Sequence, residues 1–455
     1  VKTIFREYDI RGIFDRDLDE PTVEKIGYFF AEEVKRRKPG ARYIAVGYDA
    51  RLHSPSLYEW LGRGINKAGV AVLETGMAPT PVNYFANYVE FDGLKSDASV
   101  MITGSHNPPE YNGFKMTIDR RPFFGEEITA LGQRVLHEEV VRREVCTDRI
   151  PVDAKGKYIR YLLESFAHLD LSGKRFIFDC GNGAAGAVLR EVLEGLHIDA
   201  EILYEEPDGR FPNHHPDPSD ESTLEELRKR LETGAYTLGF AYDGDADRLA
   251  VLSRNYNFKG DILAIFFARR MDDPLVIGEV KCSQLMYDTI GRFGRTLMYK
   301  TGHSNLKVEI ARTGASLAAE VSGHLFFNDR YFGYDDAIYS TMRMLELMDE
   351  GMDPDSELRA LPTLFTTEEI TIDVEEEEKF EKIDRLKEVL KDPPEGFPPI
   401  REIIEIDGVR VVFEKGWGLV RASNTTPKIV TRFEATDRKF AEEYRRVLMK
   451  LLENI

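Results

Sequence analysis

Apolar positions along the chain follow two rhythms. Between residues 22 and 38, Val23, Ile26, Phe29, Phe30 and Val34 recur at helical spacing, and Pro39-Gly40 ends the run. Tyr43 to Tyr48 is a continuous apolar stretch of strand length, and Val70 to Leu73 is another. Between them Ser54-Pro55 opens an amphipathic helix through Ala68. Ala98 to Ile102 predicts a buried strand, and residues 125–142 predict a helix.

The alternation continues downstream. Strands are expected at Arg175–Asp179, Thr237–Tyr242, Leu275–Ile277 and Ala315–Ala319, and helices over 261–270 and from Thr301 onward. Val409–Phe413 and Leu419–Ser423 predict a hairpin around Lys415-Gly416-Trp417-Gly418. A strand at Ile429–Phe433 and an amphipathic helix over 437–453 follow. Strands alternating with helices at this spacing predict an α/β fold. At 455 residues the chain is too long for one core, and it divides into segments 1–150, 151–252, 253–365 and 366–455. Beyond the strand–helix rhythm there is no sequence repeat.

Composition narrows the function classes. The net charge of −19 argues against nucleic acid or an anionic membrane as partner, while a local basic pocket could still take an anionic small molecule. Cys146, Cys180 and Cys282 lie far apart with no CxxC pair, so neither a disulfide framework nor a zinc site is indicated. No apolar run has membrane-spanning length and the first residues carry no signal core, so the expected location is the cytoplasm.

Chemistry concentrates where strands end. Thr103-Gly104-Ser105-His106-Asn107-Pro108 follows the strand at 98–102, presenting a serine beside a histidine that can move a proton, with Lys115 downstream. A polar turn capped by Ser and Asn is the plain alternative. Asp243-Gly244-Asp245-Ala246-Asp247-Arg248 crowds three carboxylates at a strand end, where they repel one another without a hard cation such as Mg²⁺ or Ca²⁺. It is not an EF-hand, because Arg248 and Arg254 stand where the glycine and the bidentate glutamate belong. Glu320-Val321-Ser322-Gly323-His324 offers acceptors and a switchable donor to a polyhydroxyl ligand. Arg421-Ala422-Ser423-Asn424-Thr425-Thr426-Pro427-Lys428 makes an anion cradle. Gly181, Gly183 and Gly186 spell GxGxxG after a strand, which is the dinucleotide fingerprint, yet a tight βα turn is the favoured reading. His214-His215 could pair on a metal, but adjacent side chains diverge and a rigid Pro-rich loop is favoured. The acidic run Glu375 to Glu378 is a solvated helix start.

In this order, and with the opening Tyr8-Asp9-Ile10-Arg11-Gly12, these four loops resemble the α-D-phosphohexomutase superfamily, most closely its phosphomannomutase/phosphoglucomutase branch. The resemblance covers all four segments. It implies three similar α/β sandwich domains with mixed sheets plus a smaller α+β C-terminal domain, heart-shaped around a central cleft. It implies reversible movement of phosphate between O1 and O6 of mannose or glucose, through a phosphoserine and a hexose 1,6-bisphosphate, with hexose phosphates as partners of a monomer or homo-oligomer. Carried over by position, Ser105 is the phosphoserine and joins Asp243, Asp245 and Asp247 at Mg²⁺. Glu320 and Ser322 hold sugar hydroxyls, and Arg421, Ser423, Asn424 and Thr425 hold the phosphate that is not reacting. Tyr8, Arg11, His106, Lys115, Arg248, Lys281 and His303 line the reaction centre, with His324 the proton shuttle. Phosphoglucosamine mutase is the nearest alternative. A nucleotide-dependent oxidoreductase would need NAD binding, and a non-catalytic sugar-phosphate binder would not need Ser105.

Overall fold

The computed structural model describes residues 4–141, 146–375, 377–424 and 426–455. Thr425 therefore lies outside the described residues, as does Glu376 of the acidic run. The strands assemble into four principal sheets that follow one another along the chain.

In the first sheet, strands Ala71–Met77 and Ala98–Ile102 run parallel to Tyr43–Tyr48 on either side. Tyr111–Ile118 then turns back antiparallel beside Ala98–Ile102, and Ile10–Ile13 pairs antiparallel beyond it. The second sheet repeats the scheme, with Asp199–Leu203 and Leu238–Tyr242 parallel to Arg175–Asp179 and Leu249–Leu252 returning antiparallel. So does the third, with Arg295–Tyr299 and Leu317–Ala319 parallel to Leu275–Glu279 and Leu325–Phe327 antiparallel. The repeat that sequence comparison along the chain misses is a repeat of topology. The fourth sheet is antiparallel throughout and carries helices Glu378–Lys391 and Arg438–Glu453.

Helix Glu20–Arg37 shows why the local pattern holds. Asp19 caps it by accepting from Thr22 N, Pro21 sits in the first turn, and Lys35, Arg36 and Arg37 face the negative end of the dipole. Its apolar stripe is buried in the core of the first sheet. A second core runs without interruption from Leu73 and Phe85 through Tyr158, Phe178 and Phe240 to Phe327 and Met342, welding the first three sheets together. The fourth has its own core and docks through Val280, Trp417 and Leu419. Arg410 seals that joint: its guanidinium lies 3.8 Å from the Trp417 ring and donates to Val280 O (2.7 Å) and Cys282 O (2.8 Å). No helix among the described residues is long and apolar enough to cross a membrane.

Three local expectations shift. The helix expected over 125–142 is Glu126–His137. Acidic Glu138 and Glu139 oppose the dipole at its end, and the Glu138 and Val141 carbonyls accept instead from Lys25 Nζ (2.9 Å) and Tyr28 OH (2.7 Å). The hairpin turn expected at Lys415–Gly418 is shorter, because strand Gly416–Ala422 takes in Trp417, whose buried ring donates to Glu434. The second half of the GxGxxG stretch is itself a 3₁₀ turn, Ala184–Ala187, and only then does helix Leu189–Gly195 begin, where the dinucleotide fingerprint would open a helix directly.

Candidate active site

Each sheet delivers one sequence motif at the connection between its parallel (or, in the fourth, preceding) strand and the antiparallel return. Residues 103–110 join Ala98–Ile102 to Tyr111–Ile118, and 243–248 join Leu238–Tyr242 to Leu249–Leu252. Residues 320–324 join Leu317–Ala319 to Leu325–Phe327, and 423–427 join Gly416–Ala422 to Lys428–Ala435. A tight antiparallel connection puts its tip at a sheet end, free of ladder bonds, so its polar groups are available to a ligand. One cavity of about 1110 Å³ collects Tyr8, Arg11, Ser105, His106, Lys115, Arg248, Lys281, His303, Glu320, Ser322, His324, Arg421, Ser423 and Asn424. Of the site residues expected from the sequence, Asp243, Asp245 and Asp247 are fully buried and do not line the cavity, and Thr425 lies outside the described residues.

Ser105 sits at φ +48°, a left-handed conformation that a serine adopts only when its surroundings impose it. Here Arg51 imposes it. Its fully buried guanidinium donates to Ser105 O (2.9 Å), Asn107 O (2.5 Å), Pro108 O (2.5 Å) and Tyr111 O (3.0 Å). Asp49 completes the frame, accepting from Thr103 Oγ1 (2.8 Å) and Gly104 N (3.1 Å). The hydroxyl that results donates to Asp243 Oδ2 (2.9 Å) and lies 3.2 Å from His106 Nδ1. Burial, reinforced by cationic Arg248, Arg11 and Lys115, drives the His106 pKa well below the ordinary value, so the ring is neutral.

Asp243, Asp245 and Asp247 are fully buried beneath this loop, and each offers an oxygen within 4.8 Å of the others. Gly244 is required between them, since a Cβ there would lie 2.4 Å from Ser105 O. Asp243 Oδ1 shapes the loop by accepting from Asp247 N (3.0 Å) and Arg248 N (3.1 Å). Strand pairing sets Lys115 opposite Met101, and its ammonium bonds Asp245 Oδ2 (2.8 Å) and Asp247 Oδ2. Burial would raise all three carboxyls. Lys115 holds Asp245 and Asp247 below the usual range, while burial and these two neighbours push Asp243 well above it. Asp245 Oδ1 and Asp247 Oδ1 are buried with no hydrogen-bond partner among the described residues. Crowded, oxygen-only, partly orphaned carboxylates fit a hard divalent cation.

The other walls are equally specific. Glu320 Oε1 accepts from Gly302 N (2.6 Å), and Arg248 Nε donates to His324 Nε2 (3.0 Å). His303 and His324 stack with ring centroids 5.8 Å apart, and burial with cationic Lys307 keeps His303 neutral. Lys281 donates to Glu369 (2.8 Å). Arg421 Nε donates to Asp407 (3.1 Å), whose carboxylate also takes Thr301 N (3.0 Å). Tyr8 ties the first and last segments across the cleft: its hydroxyl donates to Thr301 O (2.8 Å) and accepts from Asn424 Nδ2 (2.6 Å).

Comparison with known proteins matches this architecture piece by piece. Family models of phosphoglucomutase/phosphomannomutase match in order: alpha/beta/alpha domain I over residues 2–139, domain II over 156–257, domain III over 259–365, and the C-terminal domain over 369–451. The chain belongs to the phosphoglucomutase/phosphomannomutase family. It is 38% identical over its full length to the phosphomannomutase/phosphoglucomutase of Pseudomonas aeruginosa, covering 96% of that protein. It is also 38% identical over its full length to a phosphoglucomutase of Neisseria meningitidis, covering 97% of it. The crystal structure of a family member from Burkholderia thailandensis superposes with a TM-score of 0.90 at 35% identity, over 99% of this chain and 97% of that one. As a phosphohexomutase, the chain is an isomerase of the phosphotransferring kind.

The two decoys have structural employment in the mutase. At the GxGxxG turn, a Cβ on Gly183 or Gly186 would run into the backbone of Gly244 or Glu205, and Ala184 N donates to Gly244 O (2.9 Å). The turn is packed against the aspartate loop and supports it. His214 pairs with Asp179, its Nε2 3.1 Å from both carboxylate oxygens, while its neighbour His215 is exposed. Arg51, Asp49, Lys307, Asp335, Glu369 and Asp407 are the members of the site that the sequence reading did not single out. The doublet Asp335-Asp336, abruptly before an apolar helix, and Asp49-Ala50-Arg51, at the end of a buried strand, are the signals that mark them.

Proposed function

We propose that this mutase moves phosphate reversibly between O1 and O6 of mannose and glucose phosphates, with Ser105 carrying the phosphoryl group between half-reactions. The observation that carries the reading is the convergence of four hairpin tips on one cavity, to which Ser105, Arg248 from the loop of the three buried aspartates, Glu320 with Ser322, and Ser423 with Asn424 each come from a different sheet. Glu320 and Ser322 orient the sugar, and Arg421, Ser423, Asn424 and Thr425 clamp the distal phosphate. In the first half-reaction a sugar hydroxyl bonds to the phosphorus on Ser105, the P–Oγ bond breaks, and the hydroxyl proton passes to His324. Arg11, Lys115 and Arg248 spread their charge over the transferring oxygens, where stabilisation during phosphoryl transfer counts most. His106, held neutral beside Oγ, and Lys281 and His303 in the wall of the same cavity complete the polar shell. The hexose 1,6-bisphosphate then turns over to present its other phosphate. Ser105 Oγ takes that group, and the proton returns to the departing sugar oxygen.

Mg²⁺ is the proposed cation, held by Asp243, Asp245 and Asp247 with the Ser105 group. When bound it neutralises charge on the transferring phosphoryl group. Hexose phosphates are the proposed partners and the cytoplasm the proposed location. The test is mass measurement after incubation with glucose 1,6-bisphosphate. Wild type gains one phosphoryl group, mapped to the Ser105 peptide, and Ser105→Ala gains none and does not turn over. Full turnover by Ser105→Ala refutes the covalent route.

A further inference from the structure

His324 has two ring nitrogens, and the structure gives each a different environment. Nε2 faces Arg248 Nε at 3.0 Å. A guanidinium cannot surrender its proton in a protein, so Nε2 must be the acceptor and carries no hydrogen. A neutral ring then bears its proton on Nδ1. That atom lies 3.1 Å from Asp335 Oδ2 and 3.7 Å from Asp247 Oδ1, with both carboxylates and the ring buried. Neither Nδ1 nor Asp335 Oδ2 has a hydrogen-bond partner among the described residues, and each is the other's closest charged neighbour, nearer than Asp247 Oδ1 is to Nδ1 or His303 Nδ1 is to Oδ2.

Asp335 is itself immobilised. Its other oxygen takes Lys307 Nζ (2.9 Å), and Lys307 also reaches His303 Nδ1 (3.1 Å) and Tyr84 OH (3.0 Å). Its backbone bridges to Phe326, in the strand that follows His324, and Asp336 next to it caps helix Ala337–Asp349. Asp247 likewise gives one oxygen, Oδ2, to Lys115, and its free Oδ1 stands farther from Nδ1, at 3.7 Å against 3.1 Å for Asp335 Oδ2. We infer that Asp335 is a positioning residue that fixes His324 in the tautomer protonated on Nδ1, so that the Nε2 lone pair is the one offered to the substrate.

The inference rests on His324 as the proton acceptor of the proposed reaction. A substrate hydroxyl replaces Arg248 at Nε2. As its oxygen bonds to phosphorus and the P–Oγ bond of Ser105 breaks, the hydroxyl proton moves to Nε2. The ring becomes an imidazolium with Nδ1–H held against the Asp335 carboxylate, and the proton leaves again from Nε2 in the second half-reaction. The same three atoms, Asp247 Oδ1, His324 Nδ1 and Asp335 Oδ2, lie close enough to hold a metal. That use would require Nδ1 without its proton, which the Arg248 donation to Nε2 opposes.

The test combines nitrogen-15 spectra of histidine-labelled protein with kinetics. Assigned by difference from His324→Gln, the wild-type ring should show a protonated Nδ1 and an unprotonated Nε2. Asp335→Asn should lower kcat by about 100-fold or more, the scale of a general-base contribution, with KM for glucose 1-phosphate within about threefold. In the His324→Gln background the same change should cost less than about threefold, because there is no longer a ring to orient. A proton on Nε2 in wild type overturns the inference, as do equal losses from Asp335→Asn in both backgrounds or near-normal kcat in Asp335→Asn. Wild-type activity in His324→Gln would instead remove the proton-acceptor reading while leaving the spectrum to test the tautomer. The spectrum needs no variant of Asp335, so it decides the point even where Asp335→Asn fails to fold.

Discussion

Asp336 is buried where the first three sheets meet. It caps helix Ala337–Asp349 through Tyr339 N (2.8 Å) and accepts the hydroxyls of Tyr158 (2.9 Å) and Tyr331 (2.8 Å), with Tyr334 bonded behind Tyr331 (2.6 Å). Burial outweighs these bonds and pushes its pKa from 3.8 up to about 6. A carboxyl with a raised folded-state pKa favours the fold while protonated. Its contribution is complete below about pH 3.8 and disappears as the pH rises through about 6. A gap of about two pH units, at about 1.4 kcal/mol per unit, makes that contribution about 3 kcal/mol.

Asp336→Asn retains a cap acceptor and cannot ionise. It costs about 1–2 kcal/mol at low pH through a rearranged hydroxyl network, and gains on the wild type as the pH rises. Thermal unfolding of both proteins at matched pH from about 4.5 to 7.5 cancels every other titrating group from the comparison. Between about pH 4.5 and 7.5 about 2 kcal/mol of the Asp336 contribution is lost, so the Tm difference should swing in favour of the variant by up to about 4–8 °C, at about 2–4 °C per kcal/mol. A Tm difference independent of pH over that range would show that Asp336 is not an ionising group under strain, and the reasoning would fail.

Arg51→Lys keeps the charge but replaces a planar fork by one ammonium, which cannot serve four carbonyls at once. Transfer of phosphate to Ser105 should slow about 10- to 100-fold with hexose phosphate affinity unchanged, and a normal transfer rate would contradict the clamp. Chelation should silence the enzyme and Mg²⁺ restore it, while Asp245→Asn should raise the Mg²⁺ concentration needed for half-maximal turnover; full activity in excess chelator sinks the cation reading. Because Glu320 and Ser322 are expected to contact the 3- and 4-hydroxyls, the C2 epimers glucose and mannose 1-phosphate should have similar kcat/KM, and Glu320→Ala should harm both alike. N-acetylglucosamine 1-phosphate brings an amide without partners and should fall about 10- to 100-fold behind; an acetamido sugar as best substrate would overturn this.

The four candidate loops were legible in the sequence because each is a contiguous hairpin tip. Strand, glycine-bearing turn and returning strand are written within a few residues, and side-chain type there is dictated by chemistry rather than packing. Helix Glu20–Arg37 was legible for the same local reason, since its cap, stripe and basic end lie inside one element. What only the tertiary structure decided is which charges neutralise which. A buried ion needs a counter-charge within a few ångströms, and chain distance places no limit on where that partner comes from. Ser105 is posed by Arg51 and bonded to Asp243, and Tyr8 meets Asn424 at the far end of the chain. The tautomer of His324 depends on Arg248 and Asp335, brought in from either side by a loop and by the residue before a helix cap. Even Trp417 left its expected turn for a strand because a cation and a carboxylate from other strands bury it. Periodicity records how each element is half-buried; the other half of every contact is supplied by folding.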